Sequence, residues 1–274
     1  MAKTQTPFLA LMIFFFFVSL LITVKSGSVS FSFSKFGAGQ ESEIGYLGDA
    51  RPLGGAIQLT RRDNGIFGIP ILRQNSVGRA LYIPPIRLWD KTTGKLADFE
   101  TQFSFVVDTL ASRIHADGFS FFILPFEDPR IPKNSSGGYL GLFSPETAFN
   151  SNKNQIVAVE FDSFGNEWDP KPVAVAPHIG IDVNSLESVK TTDWPINSVP
   201  RGLVGNAFIS YDSKTKKLSV AVGYVTPAPV IVDLSQTIDL RDVLPEWVRI
   251  GFSAATGDNV ETHDILSWSF TSRV

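Results

Sequence analysis

Cysteine is absent from the 274 residues, which excludes disulfide scaffolds, thiolate zinc sites, iron–sulfur clusters and cysteine nucleophiles. Charged residues make up only 19% of the chain, and the basic ones are spread out rather than gathered in runs, so no nucleic-acid partner is expected. Methionine occurs twice, whereas there are 23 Phe, 22 Gly and 17 Pro. This bias favours pleated sheets and tight turns over helices.

One long hydrophobic run is present, Phe8–Val24, and it follows the single basic residue Lys3. This arrangement predicts a secretory signal peptide, with cleavage after Ser26. A run of roughly 17–20 apolar residues could just span a bilayer, but polar alternating sequence begins directly after it, which favours a cleaved signal over an anchor. We therefore expect residues 1–26 to be removed and 27–274 to form a single domain without a membrane span, delivered through the secretory pathway to the extracellular space or the vacuole.

Polar and apolar residues alternate along most of the remaining chain, beginning with Ser28–Phe36. A polar turn at 212–216 within Phe208–Val222 predicts a hairpin. The best helical candidate, Leu240–Trp247, contains Pro245 and predicts at most one or two helical turns. The sequence therefore predicts an all-β fold, an antiparallel sandwich or jelly roll. Its further strands are expected at about 98–109, 118–125, 155–164, 178–184, 206–212, 217–224, 247–255 and 264–271.

Potential metal ligands gather around one of these strands. Glu160 and Asp162 are two residues apart, so their carboxylates project from the same face and repel each other unless a cation lies between them. Asn166 and Asp169 follow on an irregular loop, and His178 begins the next strand. Carboxylate and amide oxygens favour Ca²⁺, whereas an imidazole nitrogen favours an ion such as Mn²⁺. The pattern predicts two neighbouring ions; the alternative is a set of solvated loop acids beside an exposed histidine.

Together with four further segments, the strand VAVEFD at 157–162 makes the chain resemble the legume lectins over residues 28–272. The resemblance implies a flattened jelly roll in which Mn²⁺ and Ca²⁺ lie close together behind a shallow sugar site. It assigns the Mn²⁺ ligands as Glu160, Asp162, Asp169 and His178, with Ser188 holding a bound water. It assigns the Ca²⁺ ligands as Asp162, Asp169, Asn166 and the backbone carbonyl of Phe164. The four further segments are Trp168–Pro170, His178–Ser185, Leu244–Ser253 and Leu266–Phe270.

A carbohydrate site needs a carboxylate acceptor, fixed donors and an aromatic platform, because sugars offer hydroxyls and weakly apolar ring faces. The resemblance assigns Asp117 as the acceptor, after a cis Ala116–Asp117 peptide bond. It also assigns the Asn166 amide as a donor, Phe164 as the stacking ring and the Gly138 N–H as a further donor. From the residues alone, Asp117 is more often an ordinary turn acid, and the loop around Gly138 is simply a tight turn.

Sugar preference is predicted from the loop between Gly257 and Glu261, which contains only three residues. In the legume lectins a short loop of this kind is associated with mannose and glucose, and a longer one with galactose. The short form brings the backbone N–H groups of Asp258 and Asn259 onto the sugar. The sequence therefore predicts a mannose/glucose preference.

Two other functions are alternatives to sugar binding. The segment Glu160–Asp162 also resembles the acidic strand of jelly-roll glucanases, but Gly165 and Asn166 stand where a third acid is needed, so no enzyme is expected. A storage or defence protein with weak sugar binding is the second alternative, and the sequence does not exclude it.

Asn134 begins the single N-x-Ser/Thr sequon and is a candidate glycosylation site. Because a shallow site gains from multivalency, a homodimer or homotetramer assembled through sheet edges is expected to bind glycans or glycoproteins.

Overall fold

The computed structural model describes residues 27–65, 67, 70–110, 112–169, 177–227 and 229–274. The predicted signal peptide at 1–26 lies outside these residues. Within the described residues there are one α-helix, α1 (Leu240–Val243), and eighteen strands. The strands are β1 (Ser28–Phe33), β2 (Ile44–Gly48), β3 (Arg51–Leu53), β4 (Ala56–Gln58), β5 (Arg62–Asn64), β6 (Pro70–Leu72), β7 (Val77–Tyr82), β8 (Ile86–Arg87), β9 (Asp98–Asp108), β10 (Gly118–Pro125), β11 (Val157–Asp162), β12 (His178–Val183), β13 (Lys190–Asp193), β14 (Gly205–Asp212), β15 (Lys217–Tyr224), β16 (Val230–Thr237), β17 (Trp247–Ala255) and β18 (Thr262–Arg273).

The strands form two antiparallel eight-stranded sheets and one small hairpin. The front sheet has the order β13-β12-β11-β10-β17-β7-β2, with β8 also paired to β17. The back sheet has the order β16-β15-β14-β9-β18-β4-β3, with β1 also paired to β18. The hairpin pairs β5 with β6. The prediction of an all-β antiparallel sandwich is confirmed, and so are the single helical turn at α1 and the β14–β15 hairpin. No helix in the described ranges is long and apolar enough to cross a membrane.

Phenylalanine fills much of the space between the two sheets. Phe103 of the back sheet lies edge-on to Phe252 of the front sheet, with ring centroids 4.9 Å apart. Phe119 and Phe161, on neighbouring front strands, stack with centroids 4.4 Å apart. Fully burying such a side chain contributes about 1.5–3 kcal/mol. These rings therefore supply the cohesion that a chain without disulfides must find in packing.

A second, smaller apolar cluster covers the other face of the front sheet. Leu140, Leu142 and Phe143 of a long crossing segment pack there against Phe122 and Ala158. All six residues of β11 are consequently buried, including the two acids on the face shared with Ala158.

The antiparallel register brings several strand ends to one edge of the front sheet. Gly118 at the start of β10 pairs with Asp162 at the end of β11 and with Ala255 at the end of β17. Asp162 in turn pairs with His178 at the start of β12. The loops that leave these four strand ends therefore converge on one region, the loop edge.

Candidate functional site

At the loop edge, β11 and β12 bring Glu160, Asp162 and His178 together. Their potential ligand atoms all lie within 4.8 Å of one another, and all three residues are buried. His178 Nε2 lies 3.0 Å from Glu160 Oε1. Gly180 pairs with Glu160 across the strands, and a Cβ at this position would overlap the Glu160 carboxylate and the Ser188 hydroxyl. The cluster therefore depends on glycine at 180 as well as on the residues that could bind an ion.

Asp182 is an acidic member of this cluster that the sequence analysis did not assign. Ser188 Oγ lies 2.6 Å from Glu160 Oε1 and 2.6 Å from Asp182 Oδ1, although a hydroxyl has only one hydrogen to donate. Asp182 is fully buried and its Oδ2 has no hydrogen-bond partner. Burial, followed by the negative charge of Glu160, raises the pKa of Asp182 well above its ordinary value.

The loop after β11 folds back over this cluster. Asp162 Oδ1 accepts a hydrogen bond of 2.7 Å from the Phe164 N–H, and Asp169 Oδ2 accepts one of 2.5 Å from the Asn166 N–H. Asn166 Oδ1 is buried without a hydrogen-bond partner. The loop after β11 thus brings the Asp169 carboxylate and the Asn166 amide, both assigned as ligands from the sequence, close to Asp162 and Gly138.

Several carboxyl groups are buried close together in this cluster, and their pKa values are raised. Burial raises the pKa of Asp169 to about 6, and burial together with the charge of Glu160 raises that of Asp162 well above its ordinary value. The pKa of His178 is also raised, because the hydrogen bond and charge of Glu160 outweigh the lowering effect of burial. The cluster offers several carboxylate oxygens, one imidazole and one amide oxygen without a hydrogen-bond partner. This set of ligand atoms fits a hard cation beside a transition-metal ion.

Asp117 lies beside this cluster, immediately before β10. The Ala116–Asp117 peptide bond is cis, as the resemblance implies. The Asp117 side chain is buried, and its Oδ2 has no hydrogen-bond partner. The Asp117 carbonyl oxygen accepts a hydrogen bond of 2.9 Å from the Ser163 N–H, which joins this loop to the one after β11. Burial, followed by the charge of Glu261, raises the pKa of Asp117 to about 7.

Two glycines leave space around these acceptors. A Cβ on Gly138 would overlap the Asn166 side-chain amide, and one on Gly257 would lie 3.0 Å from Asp117 Oδ2. The Gly137 N–H donates to the Thr256 carbonyl at 3.1 Å, which holds the two glycine segments together. The structure therefore brings Asp117, Gly138 and Asn166 close together.

The other predicted sugar-binding residues are more exposed than Asp117 and Gly138. Phe164 is half-buried, Asp258 is exposed and Asn259 is half-buried. The Asp258 carbonyl accepts a hydrogen bond of 2.6 Å from Gln74 Nε2, so the short loop is tied to the chain that precedes β7. Asn134, the predicted glycosylation site, is exposed with a left-handed φ of 54°.

A buried ionic cluster behind Asp117 was also missed by the sequence analysis. Glu261 Oε2 lies 2.6 Å from His115 Nδ1, and Glu261 Oε1 lies 3.1 Å from His263 Nε2. Ser163 Oγ donates to Glu261 Oε1 at 2.5 Å. Burial alone would raise the pKa of Glu261, but the hydrogen bonds with His115 and His263 outweigh it and lower the pKa to about 2. One ionised carboxylate therefore links the Asp117 loop, the loop after β11 and the start of β18.

Comparison with known proteins gives a consistent result. The legume lectin domain family matches residues 28–274. Lectin 9 of Medicago truncatula is 52% identical over 243 residues, which cover 89% of this chain and 85% of that protein. A mannose/glucose-specific lectin of Centrolobium tomentosum is 48% identical over 252 residues, covering 90% and 96% of the two chains. The solved structure of the winged bean acidic lectin complexed with methyl-α-D-galactose has a TM-score of 0.76 and 40% identity, covering 90% and 98%.

Proposed function

The chain belongs to the legume lectin family, a family of non-enzymatic carbohydrate-binding proteins, and we propose that it binds mannose or glucose residues of glycans in a Ca²⁺- and Mn²⁺-dependent manner. The observation that carries this proposal is the pair of buried acceptors without partners, Asp117 Oδ2 beside Gly257 and Asn166 Oδ1 beside Gly138. An unsatisfied buried acceptor is expensive, by about 1–3 kcal/mol each. Sugar hydroxyls and a cation are the groups that would satisfy these two atoms.

The metal ions would be held by the residues at the loop edge. Mn²⁺ would take Glu160, Asp162, Asp169 and His178, with a water on Ser188; Ca²⁺ would take Asp162, Asp169, Asn166 and the Phe164 carbonyl. When bound, the ions supply positive charge that neutralises the buried carboxylates. The chain's own part is to fix the Asn166 loop, whose Nδ2 then donates to the sugar while Oδ1 faces the cation.

Sugar recognition would use the donors and acceptors around Asp117 and Gly138. Asp117 would accept two hydroxyl protons through charge-assisted bonds, and the Gly138 N–H would donate to a hydroxyl. Phe164 would cover the apolar face of the ring. The backbone N–H groups of Asp258 and Asn259 would reach the ring oxygen and an exocyclic hydroxyl, an orientation that suits an equatorial 4-hydroxyl. The short loop and the mannose/glucose-specific Centrolobium relative support mannose/glucose over galactose.

The setting of this function is proposed from the sequence. Residues 1–26 would direct the chain into the secretory pathway, to the extracellular space or the vacuole, and Asn134 would carry a glycan. A homodimer or homotetramer would convert weak individual sites into useful avidity, because each further site binds at a high effective concentration.

The proposal is tested by calorimetric titration of the metal-loaded protein with methyl α-mannoside and with methyl galactoside. We expect saturable binding of the mannoside, weaker binding of the galactoside, and loss of both in a strong chelator. Stronger galactoside binding would overturn the specificity, and binding that survives chelation would overturn the metal dependence. A metal-loaded protein that binds no member of a glycan array would indicate a storage or defence role instead.

A further inference from the structure

Arg79 is a buried cation in the middle of β7, close to the loop edge. Its side chain is only 2% exposed, and no ion pair among the described residues includes it. Burial lowers its pKa to about 10, which still leaves the guanidinium charged at neutral pH. The charge of Asp128 partly offsets the lowering effect of burial, but no close ion pair forms, so the buried guanidinium depends on its hydrogen-bond partners.

Those donors are directed at backbone carbonyls of two chain segments. Nε and Nη2 donate to the Gly141 carbonyl at 3.1 and 2.6 Å. Nη1 donates to the carbonyls of Arg130 and Pro129 at 2.8 and 3.2 Å. The guanidinium carbon lies 5.0 Å from the centre of the Phe122 ring, and this contact helps to orient the guanidinium plane. Arg79 therefore joins the two ends of the chain segment 131–140, which carries Gly138 and is named the Gly138 loop.

The bond at Gly141 is transmitted to Gly138 through a short series of contacts. The Gly141 N–H donates to the Ser135 carbonyl at 2.8 Å, and the Leu140 N–H donates to the Gly137 carbonyl at 3.0 Å. The Leu140 carbonyl accepts a hydrogen bond of 2.8 Å from Ser253 Oγ. The residue whose carbonyl Arg79 binds is therefore itself hydrogen-bonded across the turn that carries Gly138.

We propose that Arg79 is a positioning residue for sugar binding: its guanidinium clamps both ends of the Gly138 loop so that the Gly138 N–H faces the sugar. This rests on the proposed function, in which that N–H is a ligand donor. An apolar side chain of similar volume would fill the same space but leave the directions of the carbonyls free. Arg79 itself donates only to backbone carbonyls and contacts no side chain assigned as a metal ligand through these bonds.

The same sheet offers a matched control at its opposite end. Arg249 of β17 also donates to loop carbonyls, to Phe126 at 2.8 Å through Nε and to Ile83 at 2.5 Å through Nη1. Its guanidinium carbon lies 4.0 Å from the centre of the Phe126 ring. It is therefore a second stacked arginine that binds loop carbonyls, less buried than Arg79, and it holds no part of the segment 131–140.

The experiment compares Arg79→Met, Arg79→Lys and Arg249→Met in the metal-loaded protein. Loss of one positioned donor corresponds to about a tenfold loss of affinity, so we expect Arg79→Met to bind the mannoside at least that much more weakly, with unchanged metal stoichiometry. Arg79→Lys should recover part of the affinity. The mannoside affinity of Arg249→Met should stay within about twofold of wild type, even if its melting temperature falls as far as that of Arg79→Met.

A second readout does not depend on sugar. Amide hydrogen exchange of the segment 131–142 should become faster in Arg79→Lys than in wild type, with the segment around Asp162 unchanged. This measurement carries the test if Arg79→Met does not fold. If wild type binds no sugar, the proposed function fails while the exchange result still decides whether the clamp exists. Full sugar affinity in Arg79→Met, an equal loss in Arg249→Met, or unchanged exchange in Arg79→Lys would overturn the proposal.

Discussion

Replacing Asp117 with asparagine separates ligand binding from folding. The pKa of Asp117 is raised from 3.8 to about 7 by burial and by the charge of Glu261. A carboxyl group whose pKa is higher in the folded state favours folding at low pH, and this stability is lost as pH rises from the unfolded to the folded pKa. Each pH unit in that interval corresponds to about 1.4 kcal/mol, so the ionised carboxylate destabilises the metal-free fold by up to about 4 kcal/mol.

Asp117→Asn removes this charge while keeping the shape of the side chain. In chelator at pH 8 the variant should be more stable than wild type by about 1–4 kcal/mol, a gain of several degrees in melting temperature for a chain of this size. At pH 4 the two proteins should be equally stable. Sugar affinity of the metal-loaded variant should fall by about 100-fold or more, because two charge-assisted hydrogen bonds are lost.

Thermal unfolding at pH 4 and pH 8, with and without chelator, measures the first effect, and calorimetric titration with methyl α-mannoside measures the second. Asp233→Asn, at an exposed position of β16, is the control and should change neither quantity. A lower melting temperature of metal-free Asp117→Asn at pH 8, or loss of soluble protein, would identify Asp117 as a structural residue and refute the reasoning.

Three further outcomes are expected. Chelation should lower the melting temperature, since an ion present at 100 times its dissociation constant stabilises the fold by about 2.7 kcal/mol, and restoring Ca²⁺ and Mn²⁺ should return it; an unchanged melting curve would contradict the metal site. Gly138→Ala should reduce sugar affinity by about tenfold or more in calorimetric titration, because the new methyl group overlaps the Asn166 amide; unchanged affinity would contradict this assignment. Gly180→Ala should weaken Mn²⁺ binding, measured by paramagnetic titration, because its methyl group overlaps the Glu160 carboxylate; Gly223→Ala, whose methyl group would have no neighbour closer than 3.8 Å, should not.

The sequence predicts those parts of the fold in which one strand face is polar or the strand carries a distinctive motif. β9 alternates strictly between exposed and buried positions over much of its length, and its predicted range differs from the observed one by a single residue. At β11 the pair Glu160 and Asp162 could be placed on one face from their spacing alone, and the structure brings them within reach of His178.

Other elements could not be predicted, for identifiable reasons. β7 was missed because five of its six residues are buried, so no alternation is visible. β2, β3 and β4 are at most five residues long, which is too short for a periodic signal. These strands and the paired loops depend on contacts between residues far apart in the chain.

Asp182 and Glu261, which the sequence analysis did not assign, differ in whether a sequence pattern indicates them. Asp182 could have been found, because it shares a strand face with His178 and the spacing argument used for Glu160 applies equally to it. For Glu261 the spacing argument reaches only His263, two residues away, whereas its partners His115 and Ser163 come from distant loops that no local pattern connects.

The cluster around Glu261 has a consequence for the kinetics of sugar binding. Because one carboxylate holds His115, Ser163 and His263, the loops it joins are already ordered in the free protein. A ligand that meets a preorganised site does not lose affinity to the ordering of loops, and its association needs no preceding conformational step. Sugar binding should therefore follow single-exponential kinetics whose rate rises linearly with sugar concentration. The backbone amides at Ser163 and His263 should exchange with solvent as slowly before the sugar binds as after it.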